Sequence, residues 1–196
     1  MMALFTVLLV SVVTLYDWRL GCELSVSRAE VFSQGQYWRL LTAVFVHADL
    51  AHLLSNVYML FIFSLFVYGY FGFMAFPVLS VFAAAVVNGL AVLTYPPEVE
   101  LLGASGLVYV LGGFWLTLYF FIQRQYSVPS RLLRVTGIAL MVFFPTTFIA
   151  STSYRTHAIG FVVGVAVGAF YFLRKRNTIR RHEVYKTTLI EDTVYE

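Results

Sequence analysis

Apolar residues fall in long, nearly unbroken runs along this chain. The first covers residues 1–16 and is closed by Trp18, a residue suited to a membrane–water boundary. A polar stretch then runs from Asp17 to about Tyr37. The second run covers residues 40–71 and is interrupted by His47, Asp49, His52 and Asn56. The third covers 75–95 and stops at Pro96-Pro97, which cannot continue a helix. Runs at 105–122, 132–150 and 156–173 complete the set. A helix needs about 20 apolar residues to cross a bilayer, with a range of roughly 17–25. The runs are too long for strands and lack period-two alternation. The pattern predicts an all-α polytopic membrane protein. Its six transmembrane helices form one bundle over residues 1–173, and a charged tail follows over 174–196. No Lys or Arg precedes the first run and no small-residue cleavage site follows it, so it reads as a span rather than a signal peptide.

Composition agrees. Of 196 residues, 60% are hydrophobic and 12% charged, with a mean hydropathy of +0.81. The charged fraction is about half the roughly 25% of soluble domains, which excludes a disordered chain and an ordinary water-soluble one. A single cysteine, Cys22, excludes an intramolecular disulfide framework. The net charge of +3 is a membrane-orientation signal rather than a nucleic-acid one, because the basic residues cluster between and after spans. Arg124, Arg131 and Arg134 flank the loop after the fourth span. Arg174, Lys175, Arg176, Arg180 and Arg181 follow the sixth. With six spans both groups lie on one side, which the positive-inside rule makes the cytoplasm. Both termini are then cytoplasmic, and the loop bearing Glu98 and Glu100 faces outside.

Polar residues inside a span are costly and usually face the bundle interior or a water-filled cavity. Three groups stand out. His52 and Asn56 on the second span are four apart, hence about 40° apart around the helix. Gly103-Ala104-Ser105-Gly106 opens the fourth span, and His157 opens the sixth. All three lie toward the outer side in this topology. A serine and a histidine on separate helices are the minimum for nucleophilic catalysis, the imidazole taking the hydroxyl proton. His52, Asn56 and the backbone N–H of Ser105 can supply oxyanion donors. Asp49 could orient His157 only in principle, so the set reads as a dyad. Each group also has a bland reading. Small residues ease helix packing, and a His and an Asn on one face can be interhelical glue. His47 reads as a hydrogen-bonding anchor for the first loop. The shared sidedness favours a site.

Other chemistries fail on the residues. A zinc protease needs His-Glu-x-x-His, but Leu53-Leu54-Ser55 follow His52. No metal site and no cofactor are implied. An aspartyl protease needs two intramembrane aspartates. The Gly-x-Ser-x-Gly elbow is missing, because Leu107 holds its last position.

From Gly35 to Gly168 the sequence resembles the rhomboid family of intramembrane serine proteases. Gly35-Gln36-Tyr37-Trp38-Arg39 is similar to that family's Trp-Arg motif. The stretch from His47 through His52 to Asn56 resembles its His-x4-His-x3-Asn element, and Gly103-Ala-Ser105-Gly106 its Gly-x-Ser-Gly. Tyr109 falls where the family has a tyrosine stacking on the catalytic histidine. His157-Ala-Ile-Gly160-Phe-Val-Val-Gly164 is similar to its His-x-x-Gly-x-x-x-Gly, with Thr156 in place of the alanine often found before that histidine.

The resemblance implies a rhomboid fold and a serine endopeptidase cleaving transmembrane proteins in or near their membrane segments. Ser105 is the expected nucleophile and His157 the base, with His52, Asn56 and Ser105 in the oxyanion hole. Tyr109, His47, Trp38, Arg39, Gly103, Gly106, Gly160 and Gly164 are expected to support them. The resemblance also implies a serine at the bottom of a water-filled cavity. A fifth helix and a cap loop near residues 151–155 would move to admit substrate. The form without an added helix resembles prokaryotic members, which places the protein in a prokaryotic cell membrane with its site opening outside. Expected partners are transmembrane substrates and the bilayer, with no nucleic acid. The alternative is a catalytically silent relative that binds membrane clients. A small transporter is disfavoured, because no broken-helix inverted repeat is evident. Finally, Ser105, Tyr109, Gly112 and Gly113 share one predicted helix face, and His157, Gly160, Gly164 and Gly168 another, so the two stripes are expected to pack together.

Overall fold

A computed structural model describes residues 1–143 and 153–181 of the chain. Helix α1 spans Met2–Leu20 and ends on Gly21, whose left-handed φ of 63° lets its N–H reach Asp17 O. Thr6, Val10 and Thr14 recur every fourth residue and are the buried face of α1, which packs on α4. Leu4, Leu8, Val12 and Leu15 on its other faces are exposed.

The first loop carries a short helix α2, Arg28–Phe32, started by a capping box. Ser27 Oγ accepts from Glu30 N, and Glu30 Oε2 accepts from Ser27 N. Helix α3, Arg39–Thr42, runs into a 3₁₀ turn at Ala43–Phe45. Helix α4 spans Leu50–Phe73, so the second apolar run becomes a membrane-type helix at residue 50 rather than 40. The cause is Asp49. It is extended (φ −152°, ψ 173°), and its Oδ1 accepts from His52 N at 2.7 Å as an N-cap.

Gly72, at φ +75°, takes the chain out of the helix, and a wide turn at Met74–Leu79 holds a cis Phe76–Pro77 bond. Helix α5 follows at Ser80–Val92, shorter than the predicted third run. Asn88 Nδ2 donates to Leu40 O at 2.9 Å, so the far end of α5 returns to the level of α3. Helix α6, Ser105–Ile122, is the centre of the molecule. It is apolar on all sides and buried on nearly all of them, from Gly106 to Leu118.

Helix α7, Val128–Phe143, starts before the predicted residue 132; the rest of that run, 144–150, lies outside the described residues. Helix α8 spans Tyr154–Arg181. It runs past the expected end at 173, so residues 174–181 are helix rather than loose tail, and 182–196 lie outside the described residues. The same holds for residues 151 and 152 of the expected cap loop.

Among the described residues four stretches are long and apolar enough to cross a membrane: Met2–Leu20, Leu50–Val92, Ser105–Ile122 and Tyr154–Arg181. Six separate spans were expected; here α4 and α5 count as one stretch, and α7 is described over 16 residues only. Exposed Leu65, Phe66, Phe82, Leu133, Met141, Val162 and Phe170 face outward from this bundle. So much exposed apolar surface suits lipid, not water.

Helices α6 and α8 make the most extensive contact in the fold. A Cβ on Gly160 would sit 2.9 Å from Gly106 O, and one on Gly168 would sit 3.0 Å from Phe114 O. One on Gly164 would lie 2.9 Å from the Cα and carbonyl carbon of Val110 and closer still to its oxygen. The expected glycine seam is therefore present, with one correction. Adjacent residues are about 100° apart around a helix. Gly113 faces α8, where a Cβ would meet Phe161 O and Val165 N, while Gly112 faces the Phe143 ring of α7.

Candidate active site

The segment leading into α6 is pinned from two sides before Ser105 is reached. Val26 and Leu101 form a two-way bridge, with Leu101 N donating to Val26 O at 2.7 Å and Val26 N to Leu101 O at 2.9 Å. Gly103 N donates to Ala43 O at 2.9 Å, and Ala104 N donates to His47 Nε2 at 3.1 Å. Gly103 needs to be glycine: its φ is +117°, and a Cβ there would lie 2.8 Å from His52 Cε1. Ser105 is then the first residue of α6, where its own N–H has no acceptor within the helix.

His47 is 1% exposed and ties three elements together. Because Nε2 accepts from Ala104, Nδ1 carries the proton and donates to Thr14 Oγ1 at 3.1 Å. That hydroxyl donates on to Phe45 O, and Trp18 Nε1 donates to His47 O. Burial holds the His47 imidazole far below its ordinary value, at about 3, with nearby His52 adding to the effect and the Asp49 carboxylate opposing it. The ring is neutral, as its acceptor role requires. The expected loop anchor thus also positions the start of the serine helix.

His52 and Asn56 face the cavity from α4. The His52 ring meets His47 edge-on at 5.0 Å, and Asn56 Nδ2 donates to His52 O at 3.0 Å, leaving its second N–H. Asp49 is occupied in capping α4. From α8, His157 stacks on Tyr109 of α6 with ring centroids 4.1 Å apart and planes 19° from parallel. Gly106 and Gly160 make that approach possible, since a Cβ on Gly160 would also meet Tyr109 Cβ at 3.1 Å.

One cavity of about 370 Å³ gathers Ser105, His157, His52, Asn56, Tyr109 and Gly103. These residues come from the N-terminal ends of α4, α6 and α8, so three helix starts converge at one end of the bundle. Ser105 and His157 share this cavity without a hydrogen bond between them. Catalytic bonds are often long in free enzymes and tighten with substrate.

Trp38 and Arg39 lie away from this cavity. Arg39 is buried and organises the first loop. It pairs with Glu30 at 3.0 Å, donates to Ser25 O at 3.0 Å, and also bonds Glu23 O and Gln36 Oε1. Trp38 is exposed, with the Arg39 guanidinium 5.0 Å from its ring centroid. Lining residues that sequence reasoning did not assign to the site include Met59, Asn88, Val108 and Phe143. Asn88 was findable as an asparagine inside an apolar run. The others carry no local signal. No group of three or more His, Cys, Asp or Glu among the described residues could hold a metal ion.

A serine at a helix start, a histidine aligned by a stacked ring and spare N–H donors are the parts needed for acyl transfer. Comparison with known proteins identifies the family of the chain. The family model for the rhomboid domain matches residues 34–174. Rhomboid-like protease 3 of Toxoplasma gondii is 29% identical over 156 residues, which cover 76% of this chain and 57% of that protein. The chain spans a little over half the length of that relative. With a family match running from the first loop to the end of the apolar part of α8, around the cavity just described, the chain is an integral membrane protein of the rhomboid family.

Proposed function

We infer that the protein is an intramembrane serine endopeptidase that cleaves transmembrane substrates through a Ser105–His157 dyad. The observation that carries this reading is the shared cavity, where both residues meet with His52, Asn56 and the stacked Tyr109. His157 takes the Ser105 hydroxyl proton as Oγ attacks a substrate carbonyl carbon. The carbonyl π electrons move onto oxygen. The Ser105 N–H and the side chains of His52 and Asn56 donate to that oxyanion. The tetrahedral species collapses, the C–N bond breaks, and His157 returns the proton to the departing amine. Water then hydrolyses the acyl-serine by the same steps in reverse order. A helical amide hides its carbonyl, so the substrate segment must unwind at the cleaved bond.

A fluorophosphonate probe tests the reading. Purified protein is expected to be labelled at Ser105, and Ser105→Ala protein is expected to show no labelling above background. Wild-type protein that resists the probe would favour a silent relative that binds membrane clients.

The site end of the bundle is assigned to the outside of the membrane. Arg124, Arg131, Arg134 and the Arg174–Arg181 group lie at the opposite end, and Glu98 and Glu100 at the site end. Ser25 Oγ donates to Glu100 Oε2 at 2.9 Å, which places the Cys22 loop at the site end too. Partly exposed Cys22 is therefore expected to react with an impermeant maleimide in intact cells. Labelling only after the membrane is permeabilised would reverse the orientation.

A further inference from the structure

The first turn of a helix is its weakest part, because its leading N–H groups lack helical acceptors. His157 sits in that turn, since α8 begins at Tyr154. The glycine seam starts only at Gly160, so this turn meets α6 through side chains alone, the His157 ring on Tyr109 and the Thr156 methyl toward Gly106. A second support comes from the turn that follows α5. The Ser153 and Tyr95 hydroxyls share a hydrogen bond at 2.8 Å, and the Ser153 and Thr156 hydroxyls share one at 2.6 Å. Ser153 O in turn accepts from His157 N at 3.1 Å. Arg155 adds a second tie to the same place. Its guanidinium lies 5.0 Å from the Tyr95 ring centroid, and its Nη1 donates to Thr94 O. Thr94 is itself fixed, with both N and Oγ1 donating to Ala91 O at 2.8 Å.

We propose that Tyr95, Ser153 and Thr156 form a hydroxyl clamp between the end of α5 and the start of α8, and that this clamp positions His157 for catalysis. The three are positioning residues. Ser153 and Thr156 line the cavity wall and Tyr95 does not, and the clamp acts through the backbone bond that His157 N donates to Ser153 O. The seam sets how far apart α6 and α8 lie; the clamp sets where the first turn of α8 stands above it. Thr156 is 5% exposed and its methyl faces Gly106, so its hydroxyl is directed by packing toward Ser153. The proposal rests on the protease reading.

The test is the reaction rate of a fluorophosphonate with wild type, Tyr95→Phe, Thr156→Val and Thr156→Ser, resolved into the maximal acylation rate and the half-saturating concentration. Tyr95→Phe keeps the ring under Arg155 and loses only the hydroxyl. Thr156→Val keeps the shape and loses the hydroxyl, while Thr156→Ser keeps the hydroxyl. A misplacement of about 1 Å can cost about 10²-fold in rate. A partial loss of the clamp is therefore expected to lower the acylation rate by about 10-fold in the first two variants, with the half-saturating concentration unchanged and Thr156→Ser close to wild type. Equal acylation rates in wild type and both hydroxyl-deleted variants would overturn the clamp. So would an equal loss in Thr156→Ser.

A second readout does not need activity. In protein labelled with ¹⁵N-histidine, Tyr95→Phe is expected to shift the His157 ring resonances and leave those of His47 in place. An unmoved His157 signal would overturn the clamp even if the wild type never reacts with the probe. A shifted signal in an unreactive protein would uphold the positioning and sink the protease reading alone.

Discussion

Replacing His157 by alanine is expected to abolish both fluorophosphonate labelling and cleavage of a single-span membrane reporter. Adding Ser105→Ala on top should cost nothing more. Nucleophile and base act as one unit, and in soluble serine proteases losing one member costs on the order of 10⁴–10⁶ in rate. Among the described residues nothing stands in for His157. His52 is the other histidine lining the cavity, but it lies on α4, where its ring packs against His47 and the Gly103 backbone rather than on Tyr109. Asp49 is spent on capping α4. The variant should still fold, because His157 is partly exposed and contributes to none of the close glycine contacts between α6 and α8. A purified His157→Ala protein with an unchanged melting temperature and wild-type cleavage would remove the dyad from consideration.

Much of this site is legible in the sequence, because motif residues at fixed spacing need only helix geometry to be placed. Ser105, His157, His52 and Asn56 reach one cavity because each sits near the start of a helix, and apolar runs mark those helices. What stays hidden depends on pairing between distant segments. The boundary of α4 is an example: apolar residues continue back to Leu40, and the capping bond that His52 N donates to Asp49 Oδ1 marks the helix start at Leu50. His47 looks like a loop anchor from spacing. Its bonds to Thr14 and Ala104 join residues 33 and 57 positions away, and no local pattern encodes them. Tyr95 and Ser153 are 58 apart and read singly as a boundary tyrosine and a loop serine. Gly112 and Gly113 show the limit of face counting. A broad stripe assigns both to one neighbour, whereas the fold gives each its own.

The second large effect is expected at Gly164, which is distant from any reacting atom. Gly164→Ala should lower both the melting temperature and the acylation rate, and Gly164→Leu should abolish activity. The reason is the nature of what the new side chain meets. A Cβ there runs into the Val110 carbonyl, and backbone in mid-helix cannot rotate away as a flexible side chain could. The helices must separate. Overpacking of this kind costs typically about 1–3 kcal/mol, and the separation moves His157 relative to Ser105, where about 1 Å is worth about 10²-fold in rate. Gly69 supplies the control. It lies on the exposed side of α4 with nothing within 4 Å of its Cβ position, and its φ is not positive. Gly69→Ala should therefore leave activity intact and stabilise α4 by roughly 0.5–1 kcal/mol from helix propensity. The two glycines differ in neighbour, not in chemistry, so equal effects of the two alanine substitutions would show that the α6–α8 seam does not set the distance between Ser105 and His157.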